Sequence, residues 1–230
     1  MLQTIKKKIP RGRRTQAERR EDSERGLVEA AIAVTAERGV SAATFEAIGE
    51  RGGYSRSLVT RHFGSKRGLI DAVIGYLREH RKALAAKQGI DAMPGLDALL
   101  VDTDLYLRSL SEEHELKAYF MLLSSAVADA SPLRSAFATV HENVGTRLRD
   151  HVRKGQAEGR IRSDLDAETA ALMIGSLQLG LSMQLLVDPT LNLEPIRKLT
   201  LAMLRLSFET SDKAKSKLDV SRTIDAKVRT

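Results

Sequence analysis

Arg56, Ser57, Thr60 and Arg61 stand within one short run, GGYSRSLVTRHFGSK, residues 52–66. These are side chains that read or grip a nucleic-acid duplex. A guanidinium can pair with guanine through two hydrogen bonds, whereas Ser and Thr hydroxyls read base edges more loosely. If residues 56–63 are helical, Val59 and Phe63 share one flank, because each residue turns the helix by about 100°. Ser57, Thr60 and Arg61 then form the neighbouring polar stripe, and Arg56 projects from the N-terminal end. Backbone phosphates need donors that arrive at fixed positions. Thr44, Ser55 and Ser65 at predicted helix starts, with His62 and Lys66, fit that need.

The flanking residues predict how this segment is held. Ser55 caps the helix and Gly64 ends it. Gly52-Gly53 supplies the tight turn that separates it from a two-turn helix, FEAIGER, which Thr44 caps and which turns Phe45 and Ile48 inward. Before that, ERGLVEAAIAVTAERG reads as a helix with Asp22-Ser23 as its cap, and Leu27, Ala31 and Val34 on one face. After it, Ser65 caps a long helix with Leu69, Val73, Ile74 and Leu77 as its apolar stripe. Two short helices joined by a glycine turn form a helix-turn-helix. The N-terminal part of its second helix meets base edges in the major groove.

The rest of the chain reads as helix. Apolar residues recur at helical spacing over 96–111 and 113–129. Leu133, Phe137, Val140, Val144, Leu148 and Val152 mark a third segment. Residues 167–187, behind Asp166 as a cap, are apolar nearly all round. A last amphipathic helix follows, with Pro195 tolerated in its first turn. The expected fold class is therefore all-α, a three-helix head joined by a fourth helix to a helical body. Its expected divisions are a basic arm at 1–21, a DNA-binding head at 22–68, a ligand-binding and dimerisation body at 69–209, and a loose polar tail at 210–230.

Composition agrees with a polyanion as partner. The 230-residue chain carries a formal charge of +7, and nine Lys or Arg fall within residues 1–25 against four acids. Arg11, Arg13 and Arg14 of that arm are candidate DNA contacts. The chain has no Cys, which excludes disulfides and thiolate metal sites. Its five His show no metal-ligand spacing, and no nucleophile elbow or phosphate loop is present. No catalytic residue, metal or cofactor is expected, and the chain does not read as an enzyme. The N-terminus has no apolar core of signal-peptide length, so a cytoplasmic protein is expected.

Residues 23–80 resemble the DNA-binding head of the TetR family of bacterial repressors. The resemblance rests on Gly39, Thr44, Ile48, the GGYSRSLVTRHFGSK run and Leu69. KGQAEGRIRSDLDAETAA is similar to a stretch that precedes the dimerising helix in such proteins. Three positions depart from the family's common form. Tyr54 stands where Val or Ile is usual, Ser57 where Gly is frequent, and Thr60 where a Tyr often contacts the backbone.

The resemblance implies a homodimeric regulator, a repressor released from a pseudo-palindromic operator by a small-molecule effector. In some members a basic arm enters the minor groove. The implied effector site would draw on Tyr106, Tyr119, Phe120, Met121, Phe137, His141 and Gln178. Gly175, Ser176, Gly180 and Ser182 are small enough for close approach of helices in a dimer. Glu168, Gln178 and Gln184 interrupt the apolar run and argue against a membrane span. Two other readings stand beside this one: an effector-independent architectural DNA-binding protein, and a helical scaffold that has lost DNA binding.

Overall fold

Polar caps decide where most of the helices start. The computed structural model describes residues 15–112, 114–129 and 132–210. Among these the chain forms α1 (Gln16–Arg38), α2 (Phe45–Gly52), α3 (Arg56–Phe63), α4 (Lys66–Gln88), α5 (Gly95–Glu112), α6 (His114–Ala128), α7 (Arg134–Ala157), α8 (Ala167–Val187) and α9 (Leu193–Phe208). Single 3-10 turns lie at Val40–Ala42 and Ile90–Ala92. The all-α class expected from sequence is the one observed. Thr44, Ser55, Ser65 and Asp166 each accept a hydrogen bond from the N–H three residues on, satisfying a donor that the helix cannot. Gly53 ends α2 in the left-handed region at φ 72°.

α1 starts at Gln16, well before the expected cap at Asp22-Ser23. Its first turns are polar, so no apolar period announces them. They are laced instead by Arg20–Glu24 at 2.9 Å, Arg25–Asp22 at 3.2 Å and Arg25–Glu29 at 3.9 Å, the spacings that support an exposed helix. Arg11, Arg13 and Arg14 lie outside the described residues, as does the tail beyond Thr210. Thr210 itself is held rather than loose, because its N–H donates to the Arg160 carbonyl at 3.0 Å.

The head has no core of its own. Leu27, Ala31 and Ile32 of α1, Ile48 of α2, Val59 and Phe63 of α3, and Leu69, Ile70 and Val73 of α4 form one apolar cluster with Leu116, Tyr119 and Phe120 of α6 and Phe137 of α7. α1 lies along α6, so head and body share buried surface. A second cluster joins α5, α7, α8 and α9 through Leu99, Leu148, Ile174, Leu204 and Phe208.

α8 faces two environments. Ala170, Ala171, Ile174, Gln178 and Ser182 are buried. Leu172, Met173 and Leu177 are exposed, alongside Leu199, Met203 and Leu206 of α9. Ser176 and Gly180 lie on the exposed side with them. Ser182 does not, contrary to the sequence expectation, because its hydroxyl is bonded inside the body. Among the described residues α8 is the one helix long and apolar enough to cross a membrane. It is packed along α7 within the fold.

Candidate nucleic-acid interface and ligand site

α3 is anchored by its apolar flank and its ends. Val59 and Phe63 are 0% and 5% exposed, so the helix cannot roll without opening the core. Phe63 also meets Phe45 of α2, their ring centroids 6.1 Å apart. Arg56, Ser57, Thr60 and Arg61 are all exposed on the opposite side, and His62 is half-buried with its ring edge-on to Phe63 at 4.6 Å. Thr44, Ser55, Ser65 and Lys66 are exposed around the same helix starts.

The cap hydroxyls accept from Ala47, Leu58 and Gly68 N–H at 3.2, 3.3 and 3.1 Å. Accepting uses a lone pair and leaves the O–H proton of Thr44 and Ser65 able to donate to a phosphate oxygen. Two details escaped the sequence reading. Glu46, in the first turn of α2, holds the Arg56 guanidinium at 2.6 Å, with both side chains largely exposed. Ser57 Oγ lies 3.0 Å from Ser55 Oγ.

Tyr54, the departure at the turn, is wedged between α1 and α2. A Cβ at Gly52 would lie 2.6 Å from Tyr54 Cδ2, and a Cβ at Gly26 would collide with the Tyr54 hydroxyl. Two glycines therefore make room for one large ring. Gly26 is unreadable as a partner of Tyr54 in sequence because it lies far along the chain, in α1, whereas Tyr54 lies in the turn between α2 and α3.

In the body, five of the seven expected ligand-site residues converge. Tyr119 packs edge-on against Phe120 and Phe137, at centroid distances of 5.0 and 5.4 Å. Tyr106 O–H lies 2.7 Å from Ser182 Oγ and can reach the Gln178 carbonyl at 3.4 Å. Burial pushes the Tyr106 phenol up to about 12, against smaller opposing effects of Ser182 and Arg81. Burial, with a further push from Tyr106, also raises Tyr119. Both phenols are neutral donors at ordinary pH.

Tyr119 Oη, Gln178 Nε2 and Thr103 Oγ1 are buried without a hydrogen-bond partner among the described residues. A buried polar group left unpaired is costly, so such atoms mark where a bound molecule would be rewarded.

Met121 and His141 do not join this group. Met121 points at the head, its Cε near Gly39. His141 is exposed because the core-facing row of α7 runs through the buried Phe137 and Leu148 and the half-buried Val140 and Val144, and position 141 falls one residue off it.

Beside Tyr106 lies a buried charge that the sequence did not disclose. The Asp102 side chain is 4% exposed and meets Arg81 of α4 at 2.9 Å and Arg147 of α7 at 3.0 Å. Burial alone would raise its pKa, but Arg147 and Arg81 outweigh burial and hold the carboxyl below the usual range.

Comparison with known proteins supplies a frame for both sites. The profile of bacterial regulatory proteins of the tetR family matches residues 27–73, and that of the C-terminal part of BetI-type transcriptional repressors matches residues 103–208. The chain is 29% identical over 187 residues to the HTH-type transcriptional regulator TtgR of Pseudomonas putida, covering 77% of this chain and 86% of that one.

Among solved structures, SmeT in complex with triclosan superposes with a TM-score of 0.70 at 23% identity, covering 83% of this chain and 93% of the other. SmeT is the repressor of a Stenotrophomonas maltophilia multidrug efflux pump. A TetR transcription regulator from Haloarcula marismortui gives a TM-score of 0.70 at 18% identity, covering 83% of this chain and all of its own. At these identities the structural likeness speaks to fold.

Proposed function

The chain belongs to the tetR family of bacterial regulatory proteins, and on that premise we propose that this transcriptional regulator is a cytoplasmic repressor that binds a pseudo-palindromic operator as a homodimer and is released by a small molecule. The observation that carries the reading is α3: a helix pinned by Val59 and Phe63 that offers Arg56, Ser57, Thr60 and Arg61 outward. Arg56 and Arg61 read base edges. Thr44, Ser55, Ser65, His62 and Lys66 hold phosphates and set register, and Arg11, Arg13 and Arg14 add backbone or minor-groove contacts. Residues 22–68 act as the reading unit and 69–209 as the sensing and pairing unit.

The second copy seats on the exposed apolar stripe of Leu172, Met173 and Leu177 with Leu199, Met203 and Leu206. A Cβ at Gly175 or Gly180 would meet no atom of this chain within 4 Å, which leaves room for close helix approach. Two-fold pairing then sets two α3 helices about one DNA turn apart, roughly 34–36 Å. The effector occupies the buried aromatic group of Tyr106, Tyr119, Phe120, Phe137 and Gln178, where unpaired polar atoms await a partner. SmeT, similar in fold, has been solved with triclosan.

Selection of bound sites from random duplexes tests this reading. An inverted repeat with half-sites about one turn apart is the expected result. Recovery of DNA without an inverted repeat overturns the dimeric repressor.

A further inference from the structure

We propose that Arg81 is the positioning residue through which the body fixes α4, and with it the DNA-binding head, by clamping the buried Asp102 carboxylate. The inference rests on the functional reading above only for its consequence at DNA. α4 starts in the head at Lys66, against α3, and runs to Gln88. Its head end is held by apolar burial of Leu69, Ile70, Val73 and Leu77. Past Leu77 none of its residues is buried. The far half of this helix therefore lacks the apolar anchor that holds most helices in place.

Arg81 supplies a polar one. Its guanidinium donates to Asp102 Oδ1 at 2.9 Å and lies 5.5 Å from the Tyr106 ring centroid. Asp102 and Tyr106 are one turn apart on α5, so one side chain grips two neighbours on the same face. Tyr106 in turn reaches Ser182 of α8 at 2.7 Å. Anything that displaces the Tyr106 ring acts directly on Arg81. The fifteen steps from Lys66 to Arg81 span about 22 Å of helix at about 1.5 Å each, so a small shift at Arg81 is carried to the head. Arg147 pairs with the other oxygen of the same carboxylate at 3.0 Å but comes from the middle of α7, a helix that touches the head only near its start, through Phe137 and through Ser135, which accepts from Arg67 at 3.1 Å.

That shared carboxylate makes a matched control. Arg81→Met and Arg147→Met each remove one guanidinium from Asp102 and keep an apolar stem of similar length. A role confined to stability predicts the same outcome for both. A joint at Arg81 predicts that Arg81→Met alone speeds amide hydrogen exchange across residues 78–88. It also predicts that Arg81→Met weakens binding of the selected duplex about tenfold, against less than about threefold for Arg147→Met. Arg81→Lys, which keeps the charge, should restore part of the loss. Equal exchange and equal affinity changes in the two Met variants overturn the proposal. If the wild-type chain binds no duplex, the repressor reading falls, and the exchange comparison still decides the joint.

Discussion

The head and the body place their polar residues in opposite ways. In the head, Arg56, Ser57, Thr60 and Arg61 project into solvent from a helix whose apolar flank is sealed. In the body, Asp102, Thr103, Gln178 and Ser182 are buried, and Tyr106 and Tyr119 turn their hydroxyls inward. The head is built as a rigid surface for a large polyanion. The body instead encloses its polar side chains among apolar ones. The two regions nevertheless share one apolar cluster across α1 and α6, so they are not mechanically independent.

The most damaging change tests that shared core. Phe63→Ala empties a site that is 5% exposed and should cost about 3–5 kcal/mol. Because the cluster runs from α3 to α6 and α7, denaturation should remain a single transition at lower denaturant. A separate early transition of the head in calorimetry would show that the two regions melt apart, and the contrast drawn above would sharpen into two units.

Asp102→Asn asks the matching question of the body. It leaves Arg81 and Arg147 facing a neutral amide, at a cost of about 3 kcal/mol, the low end for a buried pair because both arginines reach solvent. The sign with pH is fixed by the lowered pKa. The stability due to Asp102 is complete above its unfolded value, near 3.8, and is lost as pH falls through the lower folded value. The stability gap between wild type and Asp102→Asn should therefore close in strong acid. A gap constant down to the acid transition would mean that the carboxylate charge contributes nothing.

The same contrast explains what could be read from sequence. Caps are local chemistry: Thr44, Ser55 and Ser65 each bond three residues onward, so their roles are visible in a short string. The stripe on α3 follows from period alone. The start of α1 was missed because its first turns have no apolar face. Asp102 was invisible because its partners lie 21 and 45 residues away on other helices. Ser182 is small, as a helix interface requires, but its bond to Tyr106 spans 76 residues, and only packing shows it to point inward. His141 sits one position from the core-facing row, a difference of about 100° that periodicity resolves only once the row is known.

A smaller effect separates shape from chemistry in the head. Gly26→Ala forces a methyl group onto the Tyr54 hydroxyl and should cost about 1–3 kcal/mol through overpacking. Tyr54→Val in the same chain removes the collision, so the double variant should recover most of that loss. A double variant as unstable as the sum of the singles would mean that the ring and the glycine do not meet.

Base reading should leave stability untouched. Arg56→Ala is an exposed change, expected within about 0.5 kcal/mol of wild type in stability. Its predicted cost is about 1–3 kcal/mol of discrimination at one base position in duplex competition. Glu46→Gln should act the other way, strengthening binding to every duplex at low salt by removing a negative charge beside Arg56. Weaker binding in Glu46→Gln would show that the carboxylate is needed to aim the guanidinium.

The smallest change divides one side chain into its two tasks. Ser55 accepts from Leu58 N–H and so starts α3, and its exposed hydroxyl, 3.0 Å from Ser57 Oγ, lies at the proposed phosphate path. Ser55→Ala removes both and should cost about 1 kcal/mol of stability along with affinity for all duplexes. Ser55→Asp keeps the cap, because a carboxylate accepts the same bond and suits the positive end of the helix. It places a negative charge where a phosphate would sit. Stability at the wild-type level with affinity lost uniformly across sequences is the expected result, read by thermal melting and by duplex titration. Retained affinity in Ser55→Asp would place the phosphate backbone away from the start of α3, and the exposed stripe would then have to meet DNA from another direction.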